Sequence, residues 1–187
     1  MLNRGFSLFE MLLNLALTSL IIISIISFYP KFHLTIIQIY QQHRLEVVTH
    51  QALSGLIKDI RRAGFIANSQ DVITKPAIEI NSDGNCIILR YDTTNSGKWR
   101  YYLYDPASSD VFAYRYHKNS LDAQSGINHC RNTSTRWEKL FDPNEVKIIN
   151  FQARQHSNYT ELNITVQLKH FPAIRYQTTN YVKNSNR

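Results

Sequence analysis

The carboxylate of Glu10 lies at the start of a long apolar segment. The one earlier charge is Arg4, and no further charged residue follows Glu10 until Lys31. A carboxylate in hydrocarbon is costly unless a cation or a hydrogen-bond donor compensates it. The position of Glu10 therefore predicts a functional role for this side chain.

Residue patterns typical of catalysis or of metal binding do not occur in the sequence. The seven histidines form no H-E-x-x-H or similar spacing, and the two cysteines, Cys86 and Cys130, form no C-x-x-C pair. No G-x-S-x-G, phosphate-binding loop or dinucleotide-binding glycine pattern is present. We predict that the protein is not an enzyme and uses no metal or cofactor. If Cys86 and Cys130 lie outside the cytoplasm, a disulfide between them is expected.

The apolar segment itself is long enough to cross a membrane. Residues 11–30 carry no charge, and about 20 apolar residues span the roughly 30 Å hydrocarbon core as a helix. A secretory signal peptide would have a shorter apolar region followed by a small-residue cleavage site, whereas this segment ends in S-F-Y-P-K-F-H. A plain membrane anchor would explain the apolar residues but would leave Glu10 and the preceding Gly5–Phe6 pair unexplained.

Residues 4–12, R-G-F-S-L-F-E-M-L, resemble the class III signal sequence of type IV pilins and type II secretion pseudopilins. In that family, a short basic leader ends in glycine, phenylalanine follows, and glutamate comes four residues later. The resemblance implies that a prepilin peptidase cleaves between Gly5 and Phe6 on the cytoplasmic side and methylates the new amino group of Phe6. It also implies that Glu10 compensates the amine of a neighbouring subunit during assembly.

The same resemblance implies the location of each part of the chain. The expected parts are a leader peptide at 1–5, a transmembrane and filament-core helix at 6–29, the amphipathic half of that helix at 30–64, and a periplasmic antiparallel-sheet domain at 65–187. Charge alone leaves the orientation open, because Arg4 on one side is balanced by Lys31 on the other. The protein is expected in the inner membrane as a single-pass subunit, and later in a pilus or pseudopilus.

Hydrophobic periodicity predicts that the helix continues well beyond the apolar segment. Leu45, Leu56 and Ile60 belong to a set of apolar residues that recur at spacings of three and four up to residue 63. Gly64 is a plausible stop, and Pro30 is expected to kink or locally break the helix. A helix from about residue 7 to about residue 63 would be about 85 Å long at 1.5 Å per residue, so we expect it to protrude from a small domain.

The period changes to that of β-strands after residue 76. Short turn-like segments separate many of the runs, and Leu162, Ile164, Val166 and Leu168 alternate strictly. Residues 117–143 are polar and irregular and are predicted to form a loop. The predicted fold is α+β and pilin-like, with the amphipathic helix packed on the covered face of an antiparallel sheet. The predicted strands are Ala77–Ile80, Cys86–Tyr91, Trp99–Tyr104, Val111–Tyr116, Val146–Ala153, Tyr159–Leu168 and Ile174–Val182.

The sequence at the end of the predicted helix resembles that of one particular group of pilins. Residues 56–65, L-I-K-D-I-R-R-A-G-F, resemble the junction of the PilW and pseudopilin J group of minor pilins, in which the helix ends in Asp-hydrophobic-Arg-x-Ala-Gly-aromatic. Arg61 and Gly64 match that pattern. The resemblance implies a minor prepilin whose partners are the prepilin peptidase, other minor and major pilins or pseudopilins, and the inner membrane. It leaves open which machine the protein serves: a pilus, a secretion system or a DNA-uptake system.

Two other functions remain open, and the net charge of +7 concerns the first of them, binding of nucleic acid. Residues 1–30 are neutral, so the rest of the chain carries the whole excess, and a basic domain can attract nucleic acid. A tip subunit that binds DNA would use aromatic and basic stretches such as residues 98–104 and 114–118, provided that their rings point outward. A membrane-anchored periplasmic enzyme is the other alternative, although no sequence pattern supports it.

Overall fold

The computed structural model describes residues 7–68, 75–100, 108–130 and 137–186. The chain divides into two compact units, Met1–Gln41 and Gln42–Arg187. The structure is α+β, with one long N-terminal helix and antiparallel sheets, as predicted.

Helix α1 extends over Leu8–Arg62, which confirms the predicted start and end. Of the two effects predicted for Pro30, a kink or a local break, the break does not occur, because α1 continues through this residue. A proline removes one bond of the helical ladder, and the bonds of the adjacent turns maintain the helix on both sides. In the first unit the described side chains from 7 to 40 are exposed. Among the described residues, α1 is the one helix long and apolar enough to cross a membrane.

The part of α1 that belongs to the second unit has one buried face. Leu45, Leu53, Leu56 and Ile60 are fully buried at helical spacing, so the predicted apolar face is confirmed. Thr49, which the sequence does not mark as apolar, is buried on the same face, and its hydroxyl donates to the carbonyl of Leu45 at 2.6 Å. That local bond explains how a polar side chain is accommodated in the core.

Within the described residues, eight strands form two antiparallel sheets, where the sequence predicted one. The first sheet has the order β1-β2-β3-β4-β5, and the second has the order β6-β7-β8. The strands are β1 Ile78–Ile80, β2 Cys86–Arg90, β3 Val111–His117, β4 Ser120–Ser125, β5 Glu138–Lys139, β6 Val146–Gln155, β7 Tyr159–Leu168 and β8 Arg175–Lys183.

The predicted loop at 117–143 is wrong in part, because it contains β4 and β5. Strands β3 and β4 form a tight hairpin whose turn residues, Lys118 and Asn119, both have positive φ, 47° and 61°. Such a turn usually contains glycine, and a Lys-Asn pair is a weak signal in the sequence. The predicted strand Trp99–Tyr104 is wrong at residues 99 and 100, which lie outside any strand, and its other residues lie outside the described part of the chain.

The core has two layers because strand β2 of the first sheet is buried on both faces. The buried face of α1 packs with residues of both sheets in one large cluster, which includes Ile87 and Leu89 of β2. The alternate β2 residues, Cys86 and Ile88, belong to a second cluster with Ile127. Strand β2 is therefore apolar at successive positions, whereas a sheet covered on one face would alternate.

Candidate functional site

Glu10 lies in the first turn of α1, and its side chain is exposed. The helical hydrogen bonds begin just before it, with the amide of Met11 donating to the carbonyl of Ser7 at 3.2 Å. Among the described residues, no cation lies within 4.0 Å of the Glu10 carboxylate. Gly5 and Phe6, the predicted cleavage site, lie outside the described residues.

Four hydroxyl side chains of the apolar segment are bonded within the helix. Thr18, Ser19, Ser24 and Ser27 donate their hydroxyl hydrogens to carbonyls three or four residues earlier, at 2.6–2.9 Å. Such internal pairing lowers the cost of placing these hydroxyls in hydrocarbon. This part of α1 is therefore compatible with a single-pass membrane anchor.

At the other end of α1, the carboxylate of Asp59 joins the helix to the first sheet. The hydroxyl of Tyr91 donates to Oδ1 at 2.9 Å, and that of Tyr114 donates to Oδ2 at 2.6 Å. Burial raises the pKa of both tyrosines, and the charge of Asp59 raises it further. Both phenols therefore stay protonated and act as donors at neutral pH. In the sequence, Asp59 is a polar position of the amphipathic helix and the Asp of the junction motif at residues 56–65, but neither feature indicates these partners.

The turn after α1 requires glycine at residue 64. Gly64 has φ of 91°, and its amide donates to the carbonyl of Arg90 at 2.9 Å. A Cβ at this position would lie 2.7 Å from the backbone oxygen of Asn186. The side-chain amide of Asn186 in turn donates to the carbonyls of Arg61 and Arg62 at the helix end, and the Arg62 carbonyl also accepts from the amide of Phe65 at 2.9 Å. The Ala-Gly junction is thus the point where the helix end meets the C-terminal segment.

Asp92 holds the neighbouring loop by its buried carboxylate. Burial alone would raise its pKa, but backbone amides of Ser96, Gly97, Ala67 and Thr94 donate to it and together lower the pKa below its ordinary value. The contact with Ala67 connects the segment after α1 to the loop after β2. Asp92 is therefore a structural anion.

A basic groove of about 740 Å³ runs beside this junction. Its cationic lining comes from Lys58, Arg61 and Arg62, near the C-terminal end of α1, and the guanidinium of Arg62 lies 5.9 Å from the ring centroid of Tyr91. Cations in the last turn of a helix also interact favourably with its dipole. The helix end by itself thus accounts for the charge of this groove.

Cys86 and Cys130 are joined by a disulfide, with a Cα–Cα distance of 6.1 Å. Cys86 belongs to the second core cluster, against which Cys130 and Trp137 pack. Trp137 also lies beneath the guanidinium of Arg115, which is 3.9 Å from its ring centroid. The disulfide holds the segment after β4 against the face of the first sheet that carries Cys86 and Ile88, opposite the face that packs with α1.

The aromatic residues of 114–118 serve the fold. The Tyr114 ring is buried and bonded to Asp59, and the hydroxyl of Tyr116 donates to the carbonyl of Ile149 at 3.1 Å. Within 98–104, the indole of Trp99 donates to the carbonyl of Phe65 at 3.2 Å, and residues 101–104 lie outside the described residues. The Tyr114 ring is therefore unavailable for stacking on bases, and Trp99 and Tyr116, which are partly buried, use their polar atoms within the fold. Within the described ranges, no group of His, Cys, Asp and Glu side chains could hold a metal ion.

Comparison with known proteins gives one family. The family model described as prepilin peptidase-dependent protein B matches residues 38–184. A protein of that name from Escherichia coli (strain K12) is 25% identical over 151 residues, which cover 80% of this chain and 76% of that protein. No solved structure matches. The family match begins after the apolar segment, so it is independent of the resemblance seen at residues 4–12.

Proposed function

Because the chain belongs to the prepilin peptidase-dependent protein B family, we propose that it is a minor prepilin that is processed by a prepilin peptidase. After processing, the protein joins a type IV pilus or a type II secretion pseudopilus and acts in its assembly or initiation. The relative in Escherichia coli carries the peptidase in its name, and a role related to pilins follows from the family. What we propose beyond this is that the protein is a filament subunit, that the peptidase cleaves it, and that its new N-terminus is methylated.

The observation that carries the proposal is the N-terminal half of α1. It combines an apolar segment long enough to cross a membrane, described side chains that are all exposed, and a carboxylate in the first turn. The sequence places Gly5 and Phe6 immediately before this segment. A simple membrane anchor needs none of Gly5, Phe6 and Glu10, whereas a processed and assembled subunit uses each of them.

The chemistry of assembly follows from cleavage. Hydrolysis of the Gly5–Phe6 bond creates an amine at Phe6, close to the positive end of α1. Glu10 lies about one helical turn further, where its carboxylate can pair with the amine of an adjacent subunit in an apolar filament core. An unpaired carboxylate there would cost several kcal/mol. Addition of a subunit therefore satisfies a charge that would otherwise be buried alone.

In this proposal the protein is stored in the inner membrane with residues 1–5 in the cytoplasm and its bulk in the periplasm. Its partners are the prepilin peptidase and other minor and major pilins or pseudopilins. The second unit then supplies the folded surface by which the subunit meets its neighbours. The role is structural rather than catalytic.

Intact-mass measurement tests the proposal directly. The full-length protein is expressed with and without a prepilin peptidase, and the peptidase is expected to remove residues 1–5 and add one methyl group to Phe6. Gly5→Arg is the matched control, because it should remain uncleaved while still inserting into the membrane. An unchanged mass of the wild-type protein in a competent host contradicts the proposal.

A further inference from the structure

Four lysines line one small cavity of the second unit, which has a volume of about 310 Å³. Lys118 lies in the β3–β4 turn, Lys139 in β5, Lys147 in β6, and Lys169 directly after β7. These positions are far apart in the sequence. The tertiary fold therefore brings the four lysines to one cavity, unlike the cations of the basic groove, which follow one another along α1.

Backbone hydrogen bonds hold the segments that carry these lysines. The amide of Ile148 in β6 donates to the carbonyl of Asn119 in the hairpin turn at 2.9 Å. The amide of Leu140 donates to the carbonyl of Leu121, and that of Lys169 donates to the carbonyl of Glu145, each at 2.9 Å. The backbone that carries these lysines is therefore anchored around the cavity.

The charged residues that line this cavity are all lysines, and among the described residues no carboxylate lies within 4.0 Å of their ammonium groups. The acids of adjacent segments have other partners: Glu145 binds Arg44 at 2.7 Å, and Asp142 accepts from the amide of Asn144 at 2.8 Å. Asp122, which lies opposite Lys139 in the sheet, binds Arg115 at 3.4 Å and accepts from the hydroxyl of Ser120 at 2.7 Å.

Apolar side chains also line the cavity. Phe141, Val146 and Ile148 are buried and contribute to its wall. Charges beside a low-dielectric wall interact more strongly than charges in water. An anion in the cavity would therefore be attracted by the lysines around it.

We propose that this cavity binds an anion that carries a phosphate group. A lysine ammonium acts as a point charge and is a common phosphate ligand, whereas planar recognition of a carboxylate usually involves the arginine fork, which the lining lacks. The volume admits a phosphate group and its nearest substituents, but not a folded segment of a partner. Free phosphate and a phospholipid headgroup share this chemistry. The inference is independent of the proposed processing.

The test uses the full-length protein in a neutral detergent at constant ionic strength. Thermal unfolding is followed during titration with inorganic phosphate and, separately, with dihexanoyl phosphatidylglycerol. Dihexanoyl phosphatidylcholine, which has no net charge, serves as the lipid control. The cavity variant is Lys139→Gln/Lys169→Gln, and the charge-matched control is Lys58→Gln/Lys183→Gln, neither of which lines the cavity.

We expect a saturable rise in the unfolding temperature with an anionic ligand and an apparent Kd weakened by about tenfold or more in the cavity variant. The control variant should bind like the wild type. Tighter binding of the phosphatidylglycerol assigns the cavity to a headgroup, and tighter binding of inorganic phosphate assigns it to a soluble ligand. An effect that is absent, that does not saturate or that is equal in both variants overturns the proposal.

Discussion

Oδ2 of Asp59 accepts a hydrogen bond of 2.6 Å from the hydroxyl of Tyr114, and this bond ties α1 to β3. The two residues are 55 positions apart in the sequence. A second phenol, that of Tyr91, occupies the other oxygen of the same carboxylate. The end of α1 is thus attached to the first sheet by a charged acceptor as well as by apolar packing.

Replacing this carboxylate should weaken the fold. In Asp59→Asn, both tyrosines lose a charge-assisted acceptor, and we expect the free energy of unfolding to fall by about 1–2 kcal/mol. Denaturant unfolding of the full-length protein in detergent measures the change. The neighbouring exposed Lys58→Gln should change it by less than about 0.5 kcal/mol. Equal effects of the two variants would show that the Asp59 bonds do not contribute.

Asp92 should make stability depend on acid pH. Its folded pKa is lowered from 3.8, so its contribution to stability is complete above that value and disappears as the pH falls through the folded pKa. Asp92→Asn should therefore destabilise the protein at pH 6, and its difference from the wild type should shrink as the pH falls below 3.8. Thermal unfolding of both proteins from pH 6 downward measures this. A difference that stays constant over the whole range is incompatible with the role assigned to Asp92.

The disulfide should contribute substantially to stability. Its cysteines are 44 positions apart, and closing a loop of that length stabilises a fold by about 4 kcal/mol in the chain-entropy model. We expect Cys86→Ser/Cys130→Ser, and also the reduced wild type, to unfold at a clearly lower temperature. Thiol labelling of the full-length protein, extracted from membranes and denatured without reductant, checks the bridge itself. Two reactive thiols per chain would refute it.

Glu10 should be needed for assembly but not for processing. It lies beyond the Gly5–Phe6 bond, so Glu10→Ala should be cleaved and inserted normally while entering filaments less efficiently. Mature mass and the amount recovered in sheared pili or pseudopili measure the two steps. Glu46→Ala, which removes a carboxylate from α1 outside the apolar segment, is the control. If Glu10 only offsets the helix dipole, worth about 0.3–1 kcal/mol, its alanine variant would assemble normally and the assembly role would be rejected.

Local patterns predicted most of the elements. The spacing of Leu45, Leu56 and Ile60 indicates a helical face, and the alternation from Leu162 to Leu168 indicates a strand. Both elements occur as predicted because neighbouring residues determine the period of a helix or strand. The hairpin turn at Lys118–Asn119 was missed because its backbone conformation is usually signalled by glycine.

The sequence by itself determined the apolar segment with Glu10 at its start, the Gly5–Phe6 pair before it, and the end of the helix at the Ala-Gly junction, because each of these is a contiguous arrangement of residues. Only the tertiary structure decided that two sheets form, that β2 is buried on both faces, and that Asp59 receives two tyrosines. The same holds for the four lysines around one cavity. These relationships depend on strand register and on packing between distant segments, which no local period encodes.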